Sequence, residues 1–150
     1  MRELPQLPPR GRLYLATGVP YRQALKDYFN QEGSAEVWAM DYGYRAGDLI
    51  LTAIQTSPRM FIALEVAAAD GTAGPHISVD WDRSVGFSNG ILADAVAQDA
   101  GIDTFRFGSY YTGSQARRIL KALAAEYRLD RPWFTPERWT DLRDSGNDLP

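Results

Sequence analysis

The sequence predicts an α+β fold, a small curved mixed β-sheet or partial barrel flanked by about three helices. Three observations predict it. The strand-like segments are short and are joined mostly by turns rather than by repeated strand–helix–strand units. Two of them flank Gln55-Thr56-Ser57-Pro58-Arg59, a natural hairpin loop. Other segments carry apolar residues at helical spacing instead.

In chain order, residues 1–11 (MRELPQLPPRG) are rich in proline, which holds neither a ladder nor a helix interior, and read as an N-terminal arm. Residues 12–16 (RLYLA) alternate and read as a strand. Pro20 suits a first helical turn. Tyr21, Ala24, Leu25, Tyr28 and Phe29 then form one apolar helix face, with Gly33 as its stop. Residues 36–44 (EVWAMDYGY) are aromatic and irregular. Residues 48–54 (DLILTAI) and 60–67 (MFIALEVA) are the hairpin strands, and 68–75 a flexible connection. Residues 76–81 (HISVDW) alternate and read as a further strand. A second helix is expected within 88–101 and a last strand at 104–107 (TFRF). Thr112 and Gln115 match a capping box. The helix it opens carries Ala116, Ile119, Leu120, Leu123 and Tyr127 on one face. Pro132 and Pro136 end regular structure, so 12–129 reads as the domain and 130–150 as a tail or linker.

Composition narrows the function. At 150 residues, 45% of them hydrophobic, the chain has material for one core without disulfide or structural metal. It has no cysteine, which excludes thiol catalysis and thiolate metal sites and fits a reducing, cytoplasmic setting. No apolar run has the length of a membrane span, and none near the N-terminus has that of a signal peptide. The net charge of −3 argues against a nonspecific nucleic-acid coat, yet leaves room for a pocket that reads one base with few phosphate contacts.

Catalytic signatures are sparse. His76 is the only histidine, and there is no GxSxG elbow, HExxH, P-loop or strand-embedded GxGxxG. Asp80 and Asp82 flank Trp81; they suit a metal ion, or more simply a solvated strand face. Asp41, Asp48, Asp70 and Asp103 sit near turns and read as turn chemistry. The expectation is a binding module without a cofactor or catalytic residues of its own.

The aromatics are more informative. Trp38, Tyr42 and Tyr44 precede the hairpin, Trp81 ends a strand, and Tyr110 and Tyr111 precede the last helix. Each ring alone reads first as core; as a set in irregular, polar-flanked segments they suit a site edge. Arg117, Arg118 and Lys121 form a modest basic patch, or ordinary solvated helix charge.

This order of residues resembles the EVE and YTH domains of the PUA-like superfamily across roughly residues 12–127. The resemblance is carried by RLYLATG before a helix, by Trp38, and by Gly47-Asp48-Leu49-Ile50-Leu51 opening the hairpin. Val79-Asp80-Trp81 with Phe87, and Phe107-Gly108-Ser109-Tyr110-Tyr111 before a helix, complete it. The chain departs from the family in a short stretch from 38 to 47, and the family's asparagine near the first tryptophan has no match unless Asn30 serves.

The resemblance implies a PUA-like reader that holds a single flipped base, such as methylated or hydroxymethylated cytosine, in an aromatic cage. Trp38 and Trp81 would stack on the base, with Tyr110 as a further wall. Thr17, Gly18, Gln55 and Ser109 would hydrogen-bond its edge, and Arg45, Arg59, Arg117 and Arg118 would contact phosphates. The implied partner is modified DNA in preference to RNA, with the nuclease of a modification-dependent restriction system beyond the C-terminal tail. Two other readings stay open. One is a protein-interaction or regulatory domain using the same aromatic surface, favoured by the acidic balance. The other is a small nucleotide hydrolase or transferase using Asp80 and Asp82.

Overall fold

The computed structural model describes residues 2–18, 38–39, 43–55, 58–71 and 78–131. These form an α+β fold built on one mixed sheet. Its strands are β1 (Leu13–Gly18), β2 (Trp38–Ala39), β3 (Leu49–Ile54), β4 (Met60–Val66), β5 (Val85–Leu92) and β6 (Tyr110–Tyr111). The helices among the described residues are α1 (Ala93–Ala100) and α2 (Gly113–Leu129). Two helices are described where about three were expected; the segment expected to supply the other, around residues 20–29, lies outside the described residues.

The sheet runs β2-β1-β3-β4-β5, with β6 also on β1. β1 and β3 are parallel, and their full ladder pairs Leu13 with Leu49 through Gly18 with Ile54. Every residue of both strands is buried, the pattern of parallel strands covered on two faces. β3 and β4 form the expected antiparallel hairpin. Its register shifts at Thr52/Ala53, and that of β4 with β5 shifts at Phe61/Ala63, as β-bulges do. The other edge of β1 is closed in three pieces. β6 pairs Leu13 and Tyr14, the 108–109 backbone exchanges hydrogen bonds with Leu15, and β2 pairs Thr17 and Gly18.

One sheet face, with Leu13, Leu15, Leu49, Leu51, Ala53, Phe61, Leu64 and Val66, packs on Val96, Ala116, Ile119 and Leu123 of the helices. The other face holds Tyr14, Ile50, Thr52, Met60 and Glu65, which are also buried. Leu4 and Leu7 pack on the core, and the Arg2 guanidinium donates to the carbonyls of Ser84 (2.9 Å) and Asp82 (2.6 Å). The segment expected as an arm is therefore tied to the domain.

Several boundaries depart from expectation. Residues 88–92 belong to β5, and the helix starts at Ala93, where the amide donates to the Arg59 carbonyl. The expected strand at 76–81 is, among the described residues, a single bridge between Val79 and Ala67 followed by a turn at 81–83. Asp80 explains the turn: its carboxylate accepts from the Arg83 amide and its carbonyl from Ser84. Residues 104–107 are irregular, and the last strand is β6. Thr112 does precede α2, but its side chain makes no cap hydrogen bond. Gly113 sits at φ +57°, outside helical geometry, and so displaces Thr112 from the capping-box arrangement.

Candidate functional site

The parallel pairing of β1 and β3 brings their C-terminal ends to one end of the sheet. Gly18 there is in register with both Ile54 and Trp38, and Ile54 with Met60. Thr17, Gly18, the backbone of Trp38, Gln55 and Arg59 therefore converge, although they are dispersed over 43 positions in the chain (17 to 59). Gln55 is exposed. Thr17 is buried, and its hydroxyl has no hydrogen-bond partner among the described residues. It shares a row with Ala53 and Phe61 on the helix-packed face of the sheet.

Phe107, which sequence reasoning did not assign to the site, joins this end. Gly108 donates to the Leu15 carbonyl at 2.8 Å, which carries residue 107 along β1 toward Thr17. The Phe107 ring lies 6.3 Å from that of Phe61, and the Arg59 guanidinium sits 4.3 Å above it. A stacked arginine of this kind is a held cation with N–H groups at its rim. The result is a sheet end with a buried hydroxyl, an amide side chain and an arginine on an aromatic plate. Such groups bind a flat polar ligand with negative charge nearby.

The other expected site residues lie elsewhere. Ser109 seals the middle of the β1 edge, its carbonyl accepting from Leu15 at 3.0 Å. Tyr110 pairs with Tyr14 nearer the start of β1, its ring 5.3 Å from that of Tyr14 and beneath the Arg12 guanidinium at 4.2 Å. Trp81 follows Asp80, whose amide donates to the Val66 carbonyl at the far end of β4. β3 runs from Leu49 beside Val66 to Ile54 beside Gly18, five steps or about 17 Å at strand rise. The backbones of Trp38 and Trp81 are thus at opposite ends of the sheet. Arg45 also belongs to the far end: its amide donates to Asp48 in the turn before β3. Arg117 and Arg118 are exposed in the helical layer. His76, Asp41 and Tyr42 fall outside the described residues.

Asp80 accepts hydrogen bonds within its own turn. Among the described residues, no three acidic or histidine side chains come together as metal ligands. Asp48 and Asp70 act as turn chemistry predicts. Asp48 receives the amides of Arg12 (3.0 Å) and Arg45 (2.9 Å), and Asp70 that of Ala46 (3.0 Å). Among the described residues, no helix is long and apolar enough to cross a membrane. Comparison with protein-family models, with curated proteins and with solved structures finds no match to this chain.

Proposed function

We propose that this chain is a nucleic-acid recognition module that holds a single extruded base at the sheet end formed by β1, β2 and β3. One observation supports the reading above the others: the buried Thr17 hydroxyl, without a hydrogen-bond partner among the described residues, lies in the Ala39–Thr17–Ala53 row, next to the row of Trp38, Gly18 and Ile54, at the same sheet end as Gln55 and the Arg59–Phe107 stack. A buried hydroxyl without a partner costs about 1–3 kcal/mol, and a base edge would supply the missing bond. Trp38 is the proposed stacking residue, Gln55 a second edge contact, and Arg59 the phosphate contact. The order of strands and helices suits a PUA-like arrangement, and modified cytosine in duplex DNA is the proposed ligand class. A nuclease partner and a place in a restriction system belong to the same proposal.

The test is fluorescence anisotropy with duplexes carrying cytosine, methylcytosine or hydroxymethylcytosine. Trp38→Ala and Gln55→Ala are expected to weaken binding by tenfold or more, since base stacking is worth roughly 1–3 kcal/mol. Trp81→Ala, at the far end, is expected to leave it unchanged. Equal loss in Trp81→Ala, or no loss in Trp38→Ala, would sink this site assignment.

A further inference from the structure

We propose that a cavity at the opposite edge of the sheet binds a small organic cation, an alkylammonium or guanidinium group. β5 pairs with β4 at Val85–Leu64 and Gly86–Ala63, and again at Ile91–Phe61 and Leu92–Met60. Between those pairs β5 runs through residues 87–90, whereas β4 has only Ile62. The extra residues loop out, and Gly90 at φ +69° makes the return, a conformation that suits glycine. The loop meets the last turn of α2 and borders a half-open cavity of about 330 Å³, enough for a small molecule.

The lining defines the chemistry. Glu126 is only 6% exposed, lines the cavity, and its buried Oε2 accepts no hydrogen bond from the described residues. Among the described residues it forms an ion pair with Arg131, whose Nε is 3.6 Å away, beyond hydrogen-bond reach, and whose side chain is 55% exposed. Asp130 adds a second carboxylate, oriented by the Asn89 amide at 3.0 Å. The C-terminal end of α2 adds the negative pole of its dipole. Phe87 and Tyr127, with ring centroids 5.5 Å apart, supply aromatic surface. Among the described lining residues, two carboxylates and a helix C-terminus face one guanidinium that is mostly in solvent. A ligand N–H would give Oε2 the bond it lacks, and its positive charge would meet both the carboxylates and the rings. Arg131, tethered beside the cavity, competes for the same oxygen.

The cation has two potential sources, a free small amine or the arginine side chain of a partner, and agmatine and a Gly-Arg-Gly peptide distinguish them. Each is titrated into the full chain by calorimetry, while the Asn89 side-chain amide is followed by nitrogen–proton NMR; 1,4-butanediol is the uncharged control. Saturable binding with a shift at Asn89, weakened tenfold or more in Glu126→Gln, is expected. Arg131→Ala is expected to tighten binding by at least about threefold, because a tethered competitor is removed. It also keeps the test decisive if Glu126→Gln fails to fold. Tighter binding of agmatine would identify a free amine, and tighter binding of the peptide a partner's side chain. Absence of an Asn89 shift with both probes at millimolar concentration in Arg131→Ala, or undiminished binding in a folded Glu126→Gln, would overturn the proposal.

Discussion

Glu65 stands mid-strand in β4 between Leu64 and Val66, on the sheet face shared with Ile50 and Thr52. Burial raises its carboxyl from the usual 4.5 to about 7, opposed by a hydrogen bond with Thr52. The Thr52 hydroxyl has one proton, and it donates to the Ala63 carbonyl at 3.1 Å. Below pH 4.5 the group is protonated folded and unfolded, and it adds no pH dependence. Between pH 4.5 and 7 the unfolded chain ionises first, so stability falls as pH rises, by about 3 kcal/mol over the window. Glu65→Gln is expected to abolish this slope and to exceed the native chain in stability at pH 8; urea melts at pH 4.5 and 8 measure both. Asp48 holds the fold together through its hydrogen bonds. It is buried and holds two backbone amides, so Asp48→Ala is expected to lose about 2–4 kcal/mol in the same melts. Thr17→Val links stability to function: removing the unpaired hydroxyl should stabilise by about 1 kcal/mol and weaken base binding. Unchanged binding in that variant would remove Thr17 from the site.

The elements were legible in the sequence where one periodicity dominated. β1, β3, β4 and α2 have continuous or evenly spaced apolar residues, and each formed within about two residues of expectation. Ile119 and Leu123 anchor the α2 stripe, both fully buried, and Ile119→Ala is expected to cost about 2–4 kcal/mol by thermal melt. Glu126 occupies a position of that same stripe, seven residues after Ile119, and a charge at a core position was the available signal for the β5 cavity. β5 was misread because its bulge destroys alternation: its burial does not follow a period of two, and Gly90, which counts against a helix, sits at φ +69° where the strand returns. The 76–81 segment alternates well, yet Asp80 captures its own turn and ends the pairing after one bridge. The N-terminal prolines suggested a free arm because packing by Leu4 and Leu7 leaves no periodic trace. Gly11 records it locally: a Cβ there would lie 2.7 Å from the Pro8 ring and 2.8 Å from its carbonyl oxygen. Gly11→Ala is therefore expected to destabilise, by about 1–3 kcal/mol.

At the scale of the whole molecule, the parallel β1–β3 pair decides which residues can act together. Nothing in local sequence fixes that ladder, because it joins segments separated by 30 residues (19–48). Once it forms, Thr17, Gly18, Trp38, Gln55 and Arg59 share one end, and Trp81 and Arg45 are carried to the other. Choosing aromatics by composition found Trp38 and Trp81 alike, since a cage and a core use the same rings. Phe107 was passed over because its role depends on Arg59 stacking across the β1 edge, a contact with no sequence spacing. The central claim is that this sheet end reads a base. It is tested most directly by anisotropy of the purified chain at fixed, moderate salt, comparing matched duplexes that differ only in the modification of one cytosine. A preference of tenfold or more for a modified duplex, lost in Trp38→Ala and retained in Trp81→Ala, is the expected result. Equal affinity for all duplexes, or binding that vanishes uniformly as salt rises, would contradict it.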